Sequence, residues 1–326
     1  MLKQSQTTNA DYEALTLRTS EGHKLEVVPE FGGITNQLVF ATKHGPLNVL
    51  AGLPDRKSMQ TDRAFRNIHL FPFANRLADG QYEIDGKSYQ LPINEVARNN
   101  ALHGFLYRLT PEATLLENDE KSEAGKKTMV LKYRYNGDLA GYPFAADIVL
   151  RFILSNDAAL EILFEVHNRS QHTIPVGIGW HPYFCLGGMV DDWHLQLPQV
   201  QKVEINERML PTGKRSDYYD FSQLKAIAKT QFDTCFALEN THVNKTARTL
   251  LWSEKQQLGL EIWQQTGDKG FNFLQLCIAQ DRQSIAIEPV SCGIDAFNNG
   301  DGLIQLEPND RFTSQMGVRL IHSVQK

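Results

Sequence analysis

Short segments in which apolar and polar residues alternate recur from one end of the chain to the other. Alternation with a period of two places the apolar side chains on one face of a β-strand, where they can pack on a core. Many of these segments are rich in β-branched and aromatic residues, and turn-forming residues separate them. The pattern predicts strands at residues 25–29, 129–135, 146–154, 160–166, 193–197, 258–263, 271–279 and 284–289.

The clearest turn in the sequence lies within residues 81–90, QYEIDGKSYQ. Two short runs flank Asp85 and Gly86, a pair that readily adopts the two positive φ angles of a type I′ turn. This predicts a β-hairpin in which Tyr82 and Ile84 share one face of the first strand.

Helical periodicity is rare. Residues 222–229 (SQLKAIAK) predict about two turns of helix, with Asp220 or Ser222 as the N-cap. An α/β fold requires a helix between successive strands, and the chain does not supply them. The predicted fold class is therefore all-β, and the predicted architecture is a large β-sandwich.

No linker rich in proline, glycine or serine divides the chain, so we expect one domain that covers residues 1–326. The one polar, charge-dense stretch, residues 117–127, is predicted to be a hairpin loop between two strands.

Composition and charge mainly exclude classes of protein and of partner. Of the 326 residues, 41% are hydrophobic and 22% are charged, as in ordinary globular proteins. The formal net charge is -5 and basic residues do not cluster, so neither a nucleic acid nor an anionic membrane is an expected partner. The four cysteines lie far apart without a CxxC pair, which predicts free thiols. The N-terminal segment lacks the apolar core of a signal peptide, and no run is long enough to span a membrane, so we expect a cytoplasmic protein.

Four segments break the alternation with polar residues crowded among aromatic residues, glycine and proline. They are residues 69–76, 101–105, 177–184 and 285–290. A single histidine or arginine in such a segment is usually structural or a surface charge. Glu288 is less ordinary, because a carboxylate inside an apolar strand is costly to bury unless it has partners or a function.

Taken together, the four segments point to a carbohydrate site. A glutamate and a histidine in one cleft form an acid–base pair, since their ordinary pKa values are about 4.3 and 6.5. Aromatic rings can stack on the apolar faces of a sugar, and polar side chains can bind its hydroxyl groups. The aromatic candidates are Trp180, Tyr183 and Phe297, and the polar candidates are Asn75, Arg76 and Asp233.

Six segments, in the same order along the chain, resemble the signature stretches of the aldose 1-epimerase (galactose mutarotase) family. They are PFANRLADGQYEIDGKSYQLPINE, ALHG, AGYPF, GIGWHPYF, FDTCFAL and IAIEPVSCGIDAFN. The resemblance extends over residues 31–297 and implies a β-sandwich of the supersandwich type with an open cleft. It also implies that the protein interconverts the α and β anomers of a free aldose, a small-molecule sugar, and that it needs neither a metal nor another cofactor.

The resemblance also implies a role for each residue that matches a family motif. Glu288 would be the general base that takes the proton from the anomeric hydroxyl, and His181 would be the general acid that protonates the ring oxygen. His103 and Arg76 would hydrogen-bond the ring oxygen or neighbouring hydroxyls, and Asp233 would accept hydrogen bonds from hydroxyls further round the ring. The signature of hexose-6-phosphate epimerases is not found, so an unphosphorylated sugar is expected.

Three other interpretations stay open from the sequence. The chain could be a carbohydrate-binding or regulatory protein that catalyses nothing, or a β-protein with a purely structural role. It could also be a metalloenzyme in which His103, His181 and Glu288 bind the metal, although no local metal motif such as HExxH is present. Both a monomer and a homodimer are compatible with the sequence.

Overall fold

The computed structural model describes residues 11–117, 125–239 and 245–324. Within these residues the chain forms 27 strands and two short α-helices. The strands in chain order are β1 (Leu15–Arg18), β2 (Lys24–Val28), β3 (Ile34–Thr42), β4 (Gly45–Asn48), β5 (His69–Leu70), β6 (Arg76–Ala78), β7 (Gln81–Ile84), β8 (Lys87–Gln90), β9 (Asn100–Leu102), β10 (Ala113–Glu117), β11 (Lys126–Tyr135), β12 (Ala146–Ser155), β13 (Ala159–Asn168), β14 (Ile174–Val176), β15 (Gly179–Trp180), β16 (Tyr183–Phe184), β17 (Trp193–Gln196), β18 (Val200–Ile205), β19 (Pro211–Tyr218), β20 (Lys225–Ala226), β21 (Asp233–Leu238), β22 (Thr246–Ser253), β23 (Leu258–Gln265), β24 (Phe273–Ile278), β25 (Ile285–Val290), β26 (Ile304–Leu306) and β27 (Arg311–Ile321). The helices are α1 (Arg56–Thr61) and α2 (Ala296–Asn299), and short 3-10 helices lie at Pro29–Phe31, Val96–Arg98, Leu106–Arg108 and Val190–Asp192.

Two large antiparallel sheets dominate the structure. The nine-stranded sheet has the order β10-β11-β12-β13-β27-β23-β22-β17-β20. The eight-stranded sheet has the order β19-β18-β21-β24-β25-β15-β5, and β16 also pairs with β25. A four-stranded sheet, β1 to β4, and the pairs β14–β26, β6–β9 and β7–β8 complete the fold. The predicted all-β class and large β-sandwich are confirmed.

The main core lies between the two large sheets. Along β12 and β13 every second residue is buried, as expected for strands with one face on a core. Phe152 and Phe164 from these strands belong to the same buried hydrophobic cluster as Leu276 and Ile287 from the eight-stranded sheet. Burying each such side chain contributes about 1.5–3 kcal/mol, so this cluster stabilises the sandwich and holds the eight-stranded sheet in place.

The outer face of the eight-stranded sheet is covered in part. Phe273 and Val290 point away from the main core and join a second hydrophobic cluster with residues outside the two sheets, such as Met59 of α1 and Leu53. Strands β24 and β25 are therefore buried on both faces, which explains why their sequences are nearly continuous apolar runs. A polar residue in either strand is consequently placed in a low-dielectric environment.

The predicted strands and hairpin are found in the structure. Each of the eight predicted strands overlaps an observed one, with ends that differ by up to three residues. Strands β7 and β8 form the hairpin, and Asp85 and Gly86 have φ angles of 51° and 72°. Tyr82 pairs with Tyr89 across it, and their ring centroids are 5.2 Å apart.

The predicted helix at residues 222–229 was wrong. Within that segment Lys225 and Ala226 form β20, which pairs with β17 at the edge of the nine-stranded sheet. Phe221 and Ile227 are fully buried, and their spacing of six residues does not place them on one side of a helix. A two-turn helix is unstable without such a face, so packing and edge pairing determine the conformation instead.

Two further expectations concern the hairpin loop at residues 117–127 and the cysteines. Strands β10 and β11 pair as an antiparallel hairpin, as predicted, while residues 118–124 of the predicted loop lie outside the described residues. All four cysteines are free thiols. In the part of the chain that the structure describes, no helix has the length and apolar character needed to cross a membrane.

Candidate active site

The floor of the candidate site is the outer face of the eight-stranded sheet. Gln275 in β24 lies directly opposite Glu288 in β25 in the antiparallel register. Their neighbours Leu276 and Ile287 point into the main core, so the alternation of side chains turns Gln275 and Glu288 outward. Asp233, the first residue of β21, pairs with Cys277 and shares this outer face.

His181 follows directly after β15, where the alternation places Trp180 in the core and His181 on the outer side. Hydrogen bonds from the main chain fix this position: the His181 N–H donates to the Ile68 carbonyl, and the Asn67 N–H donates to the His181 carbonyl. The Nε2 atom of His181 lies 3.3 Å from Oε1 of Glu288, and the two residues are only 5% and 1% exposed. The structure thus forms the predicted pair of an imidazole and a carboxylate.

Burial shifts the pKa values of His181 and Glu288 in the directions that favour the neutral form of each side chain. It lowers the pKa of His181 to about 4. It also raises the pKa of Glu288 well above its usual value, with a further contribution from Asp233 that Arg76 opposes. A neutral pair and an ion pair contain the same number of protons and differ only by one proton transfer between the two side chains. The pair can therefore accept a proton on one member and release one from the other.

His103 lies beside this pair, with its ring centroid 4.9 Å from that of His181. The Asn75 main-chain N–H donates to Nδ1 of His103 (3.3 Å), and the main-chain N–H of His103 donates to the Asn75 carbonyl (2.9 Å). Burial lowers the pKa of His103 well below its usual value, so the ring is neutral. Because Nδ1 accepts a hydrogen bond, the ring proton lies on Nε2, which becomes a donor.

The turn that carries His103 depends on the next residue. His103 and Gly104 both have positive φ angles, 63° and 64°. A Cβ atom on Gly104 would lie 2.2 Å from the carbonyl oxygen of Phe71, so only glycine fits there. This requirement explains the His-Gly pair in the sequence.

Arg76 is held by a carboxylate that the sequence analysis did not identify. Its Nε and Nη2 atoms donate to Glu95 at 3.0–3.2 Å, and its Nη1 donates to Oδ1 of Asn75 at 3.2 Å. Glu95 also accepts hydrogen bonds from Arg98 and Asn100. Burial raises the pKa of Glu95, but the hydrogen bonds from Arg76 and Asn100 outweigh this effect and leave the pKa below its usual value. Nothing in the local sequence distinguishes Glu95 from an ordinary loop residue.

A second missed residue, Gln275, links two predicted ones. It accepts a hydrogen bond from Nδ2 of Asn75 (2.9 Å) and donates one to Oδ1 of Asp233 (3.1 Å). Asp233 itself is exposed and lines the cleft. A signal for Gln275 was available, because it is a polar residue inside an apolar strand, as Glu288 is.

The prediction that three aromatic rings stack on the sugar was largely wrong. Trp180 is fully buried and Phe297 packs in the main core, so neither lines the cleft. Tyr183 does line it, but only 4% of its surface is exposed. Phe65, which the sequence analysis did not select, also lines the cleft, and its ring lies 4.9 Å from that of His103.

The structure brings all six predicted polar residues to one open cleft with a volume of about 1180 Å³. These residues are Asn75, Arg76, His103, His181, Asp233 and Glu288. Ligand atoms of His103, His181 and Glu288 all lie within 4.8 Å of one another. Two imidazoles and a carboxylate are a possible ligand set for a transition metal, so the geometry alone also permits the metalloenzyme interpretation.

Comparison with known proteins supports one class of protein. The model of the family described as "Aldose 1-epimerase" matches residues 13–319. The uncharacterized Escherichia coli (strain K12) protein YihR is 32% identical over 264 residues, which cover 77% of this chain and 78% of the relative. The aldose 1-epimerase of the same organism is 22% identical, with 77% of this chain and 75% of the relative covered.

Solved structures agree with the fold. The crystal structure of a galactose mutarotase-like protein from Clostridium acetobutylicum covers 95% of both chains with a TM-score of 0.81 and 18% identity. The family match and the sequence relatives support a carbohydrate epimerase or mutarotase. The chain belongs to the aldose 1-epimerase family.

Proposed function

We propose that this protein is an aldose 1-epimerase, a mutarotase that interconverts the α and β anomers of a free, unphosphorylated aldose. The observation that carries the proposal is the buried pair of Glu288 and His181, 3.3 Å apart on the floor of an open cleft. The reaction requires one group to remove a proton and another to deliver one within the same sugar, which such a pair can do.

The proposed reaction has three steps. The carboxylate of Glu288 takes the proton of the anomeric hydroxyl while the imidazolium of His181 gives a proton to the ring oxygen, and the C1–O5 bond breaks. The electron pair of the O1–H bond becomes the second bond of the C1 aldehyde, and the electron pair of the C1–O5 bond stays on O5. The aldehyde then rotates about C1–C2, and the ring closes on its other face with the two residues in exchanged roles. Nothing is oxidised and no group is transferred, so this reaction needs no cofactor.

The neighbouring polar groups have the hydrogen-bonding capacity to bind the sugar. Nε2–H of His103 and the guanidinium of Arg76 are donors for the ring oxygen and nearby hydroxyls. Asp233 is an acceptor for hydroxyls further round the ring, and Gln275 orients its carboxylate. Asn75 contacts both His103 and Arg76, so it fixes the two donors relative to each other.

Polarimetry tests the proposal. Freshly dissolved α-D-glucose and α-D-galactose should relax to their anomeric equilibria faster with the purified protein than without it. Glu288→Gln should abolish the acceleration while sugar binding, measured by calorimetry, persists, because the amide keeps the shape and loses the base. Glu165→Gln in β13, outside the cleft, is the matched control and should keep the wild-type rate. An unaccelerated reaction over a panel of aldoses, or full activity in Glu288→Gln, would contradict the proposal.

The alternative candidate is a carbohydrate-binding protein that does not catalyse. It would bind sugars in the same calorimetric assay and leave the rate of mutarotation unchanged. We further propose that the chain acts as one domain, residues 1–326, in the cytoplasm, as a monomer or a homodimer. Size-exclusion chromatography with light scattering distinguishes these two oligomeric states.

A further inference from the structure

Only one of the two ring nitrogens of His181 has a partner. Nε2 faces Oε1 of Glu288 at 3.3 Å, whereas Nδ1 is buried and has no hydrogen-bond partner among the residues that the structure describes. In a reacting histidine, a hydrogen bond from the second nitrogen to a carboxylate or a carbonyl commonly fixes the orientation of the ring. A different kind of contact therefore holds the imidazole of His181.

Two rings pack against this imidazole. The ring of Tyr183 is stacked on it, with centroids 5.4 Å apart and an interplanar angle of 18°. The ring of His103 meets it edge to face, with centroids 4.9 Å apart and an interplanar angle of 77°. Stacked and edge-to-face contacts are the two preferred arrangements of aromatic pairs. The stack on Tyr183 fixes the plane of the imidazole, and this plane determines where Nε2 points.

Tyr183 is fixed to the strand that carries Glu288. It pairs with Ala286 in the antiparallel register of β16 and β25. Ala286 precedes Glu288 by two residues, so the alternation of side chains places both on the outer face of the sheet. Tyr183 therefore joins the imidazole of His181 to the strand that supplies the carboxylate.

Asn67 fixes the main chain on both sides of Pro182. It is fully buried, its main-chain N–H donates to the His181 carbonyl at 2.9 Å, and its Oδ1 accepts from the Tyr183 N–H at 2.9 Å. The Ala51 main-chain N–H donates to the Tyr183 carbonyl at 2.8 Å. These bonds hold the main chain of the turn without the Tyr183 ring, so replacing that ring should remove the stack and leave the turn in place.

The ring of Tyr183 contacts protein groups much more than it faces the cleft. Its hydroxyl donates to Sγ of Cys277 at 3.8 Å, and the guanidinium carbon of Arg66 lies 5.7 Å from its centroid. Tyr183 lines the cleft, but only 4% of it is exposed. Little of the ring is thus left to stack on a ligand.

We propose that Tyr183 is a positioning residue whose ring orients the imidazole of His181 by stacking, in place of a hydrogen bond to Nδ1. This inference rests on the proposed function. A carboxylate at Nδ1 would stabilise the imidazolium and make it a weaker acid. A neutral ring orients the imidazole without adding a negative charge, so nothing at Nδ1 opposes the effect of burial, which lowers the pKa of His181 to about 4. A strong acid of this kind suits the weakly basic ring oxygen of a sugar.

Polarimetry with three variants of Tyr183 tests this inference, on the aldose that the wild type converts fastest. Tyr183→Phe keeps the stacking face and loses only the hydroxyl, so kcat should stay within about twofold of the wild-type value. Tyr183→Leu and Tyr183→Met have no flat face, and kcat should fall at least about tenfold with little change in KM. The flexible side chain of methionine fills irregular spaces, so Tyr183→Met is the second variant in case Tyr183→Leu folds poorly.

Tyr82→Leu is the matched control. Tyr82 is 3% exposed, and its ring stacks on that of Tyr89 with centroids 5.2 Å apart and an interplanar angle of 22°. It lies outside the cleft. Tyr82→Leu should therefore lose stability in urea, as Tyr183→Leu does, and keep the wild-type kcat.

Four results would overturn the inference and leave the mutarotase proposal intact. The first is a wild-type kcat in Tyr183→Leu or Tyr183→Met. The second is a raised KM at unchanged kcat, because Tyr183 would then bind the sugar instead of orienting His181. The third is a tenfold lower kcat in Tyr183→Phe, and the fourth is an equal loss of kcat in Tyr82→Leu. A wild type that accelerates the mutarotation of no aldose would instead refute the proposed function and the inference with it.

Discussion

Glu95 offers the sharpest test of how the site is built, because it binds two arginines in different environments. The side chain of Arg76 is 9% exposed and that of Glu95 is 12% exposed, whereas the side chain of Arg98 is 42% exposed. Glu95→Gln removes the negative charge that faces both arginines and preserves the size of the side chain. Arg98→Gln removes only the exposed ion pair, so it is the matched control.

The two variants should differ clearly in stability. Removing one partner of a buried ion pair costs about 3–5 kcal/mol, and the slight exposure of this pair favours the lower end of that range. An exposed ion pair contributes only about 0–1 kcal/mol. In urea at pH 7 we therefore expect Glu95→Gln to lower the free energy of unfolding by about 3 kcal/mol. Arg98→Gln should lower it by less than about 1 kcal/mol.

Glu95→Gln should also change catalysis. Without Glu95, the Arg76 guanidinium is free to turn towards Glu288, whose pKa it already lowers. A closer positive charge would lower the pKa of Glu288 and weaken it as a base. We expect kcat/KM to fall at least about tenfold, which corresponds to about 1.4 kcal/mol of transition-state stabilisation. The alkaline limit of the pH profile should move to lower pH, a change that a purely structural role for Glu95 would not produce.

Two results would refute this reasoning. In the first, Glu95→Gln and Arg98→Gln lose the same stability, which would show that the buried hydrogen bonds to Arg76 contribute nothing extra. In the second, Glu95→Gln is less stable but keeps the wild-type kcat/KM and pH profile. Glu95 would then support the fold without positioning Arg76 for the reaction.

Three further predictions concern the protons and a possible metal. The rate of mutarotation should fall below about pH 4, where His181 and Glu288 are both protonated. It should fall again at alkaline pH, where Glu288 has lost the proton that the pair shares. A rate measured by polarimetry that does not decline at alkaline pH would contradict this assignment. Burial raises the pKa of Glu288 in the folded state above its unfolded value of about 4.3. The stability that comes from protonation of Glu288 is therefore present below that pH. It is lost, at about 1.4 kcal/mol per pH unit, as the pH rises towards the folded pKa. Glu288→Gln should therefore be more stable than the wild type in urea at pH 8, and the difference should shrink at pH 4; a constant difference would contradict the shift. Dialysis against EDTA should leave mutarotation unchanged, and a loss that Zn²⁺ restores would favour the metalloenzyme interpretation.

The strands and the proximity of Glu288 and His181 could be predicted because their signals are local. Alternation identified the strands, and Glu288 stood out as a carboxylate in an apolar run. The same reasoning applied to Gln275 would have found the link between Asn75 and Asp233. These positions are recognisable because burial makes their polarity costly.

The errors arose where tertiary structure determines the outcome. Glu95 pairs with Arg76 across a 19-residue separation in sequence that no local pattern reveals. Trp180 faces the core and its neighbour His181 faces the cleft because side chains alternate, and the sequence does not show which of the two takes which side. The segment at 222–229 has helical propensity, but pairing at the edge of the sheet overrides it.

The two-sided burial of β24 and β25 separates what can change in this protein from what cannot. Glu288 and Gln275 alternate along these strands with the core residues Ile287 and Leu276, so a one-residue shift in register would turn these polar side chains into the core. The loops around α1 and between β24 and β25 carry no such constraint. Both loops line the cleft, so under the proposed function an exchange of these loops between relatives should change the sugar preference and leave the pair of Glu288 and His181 in place.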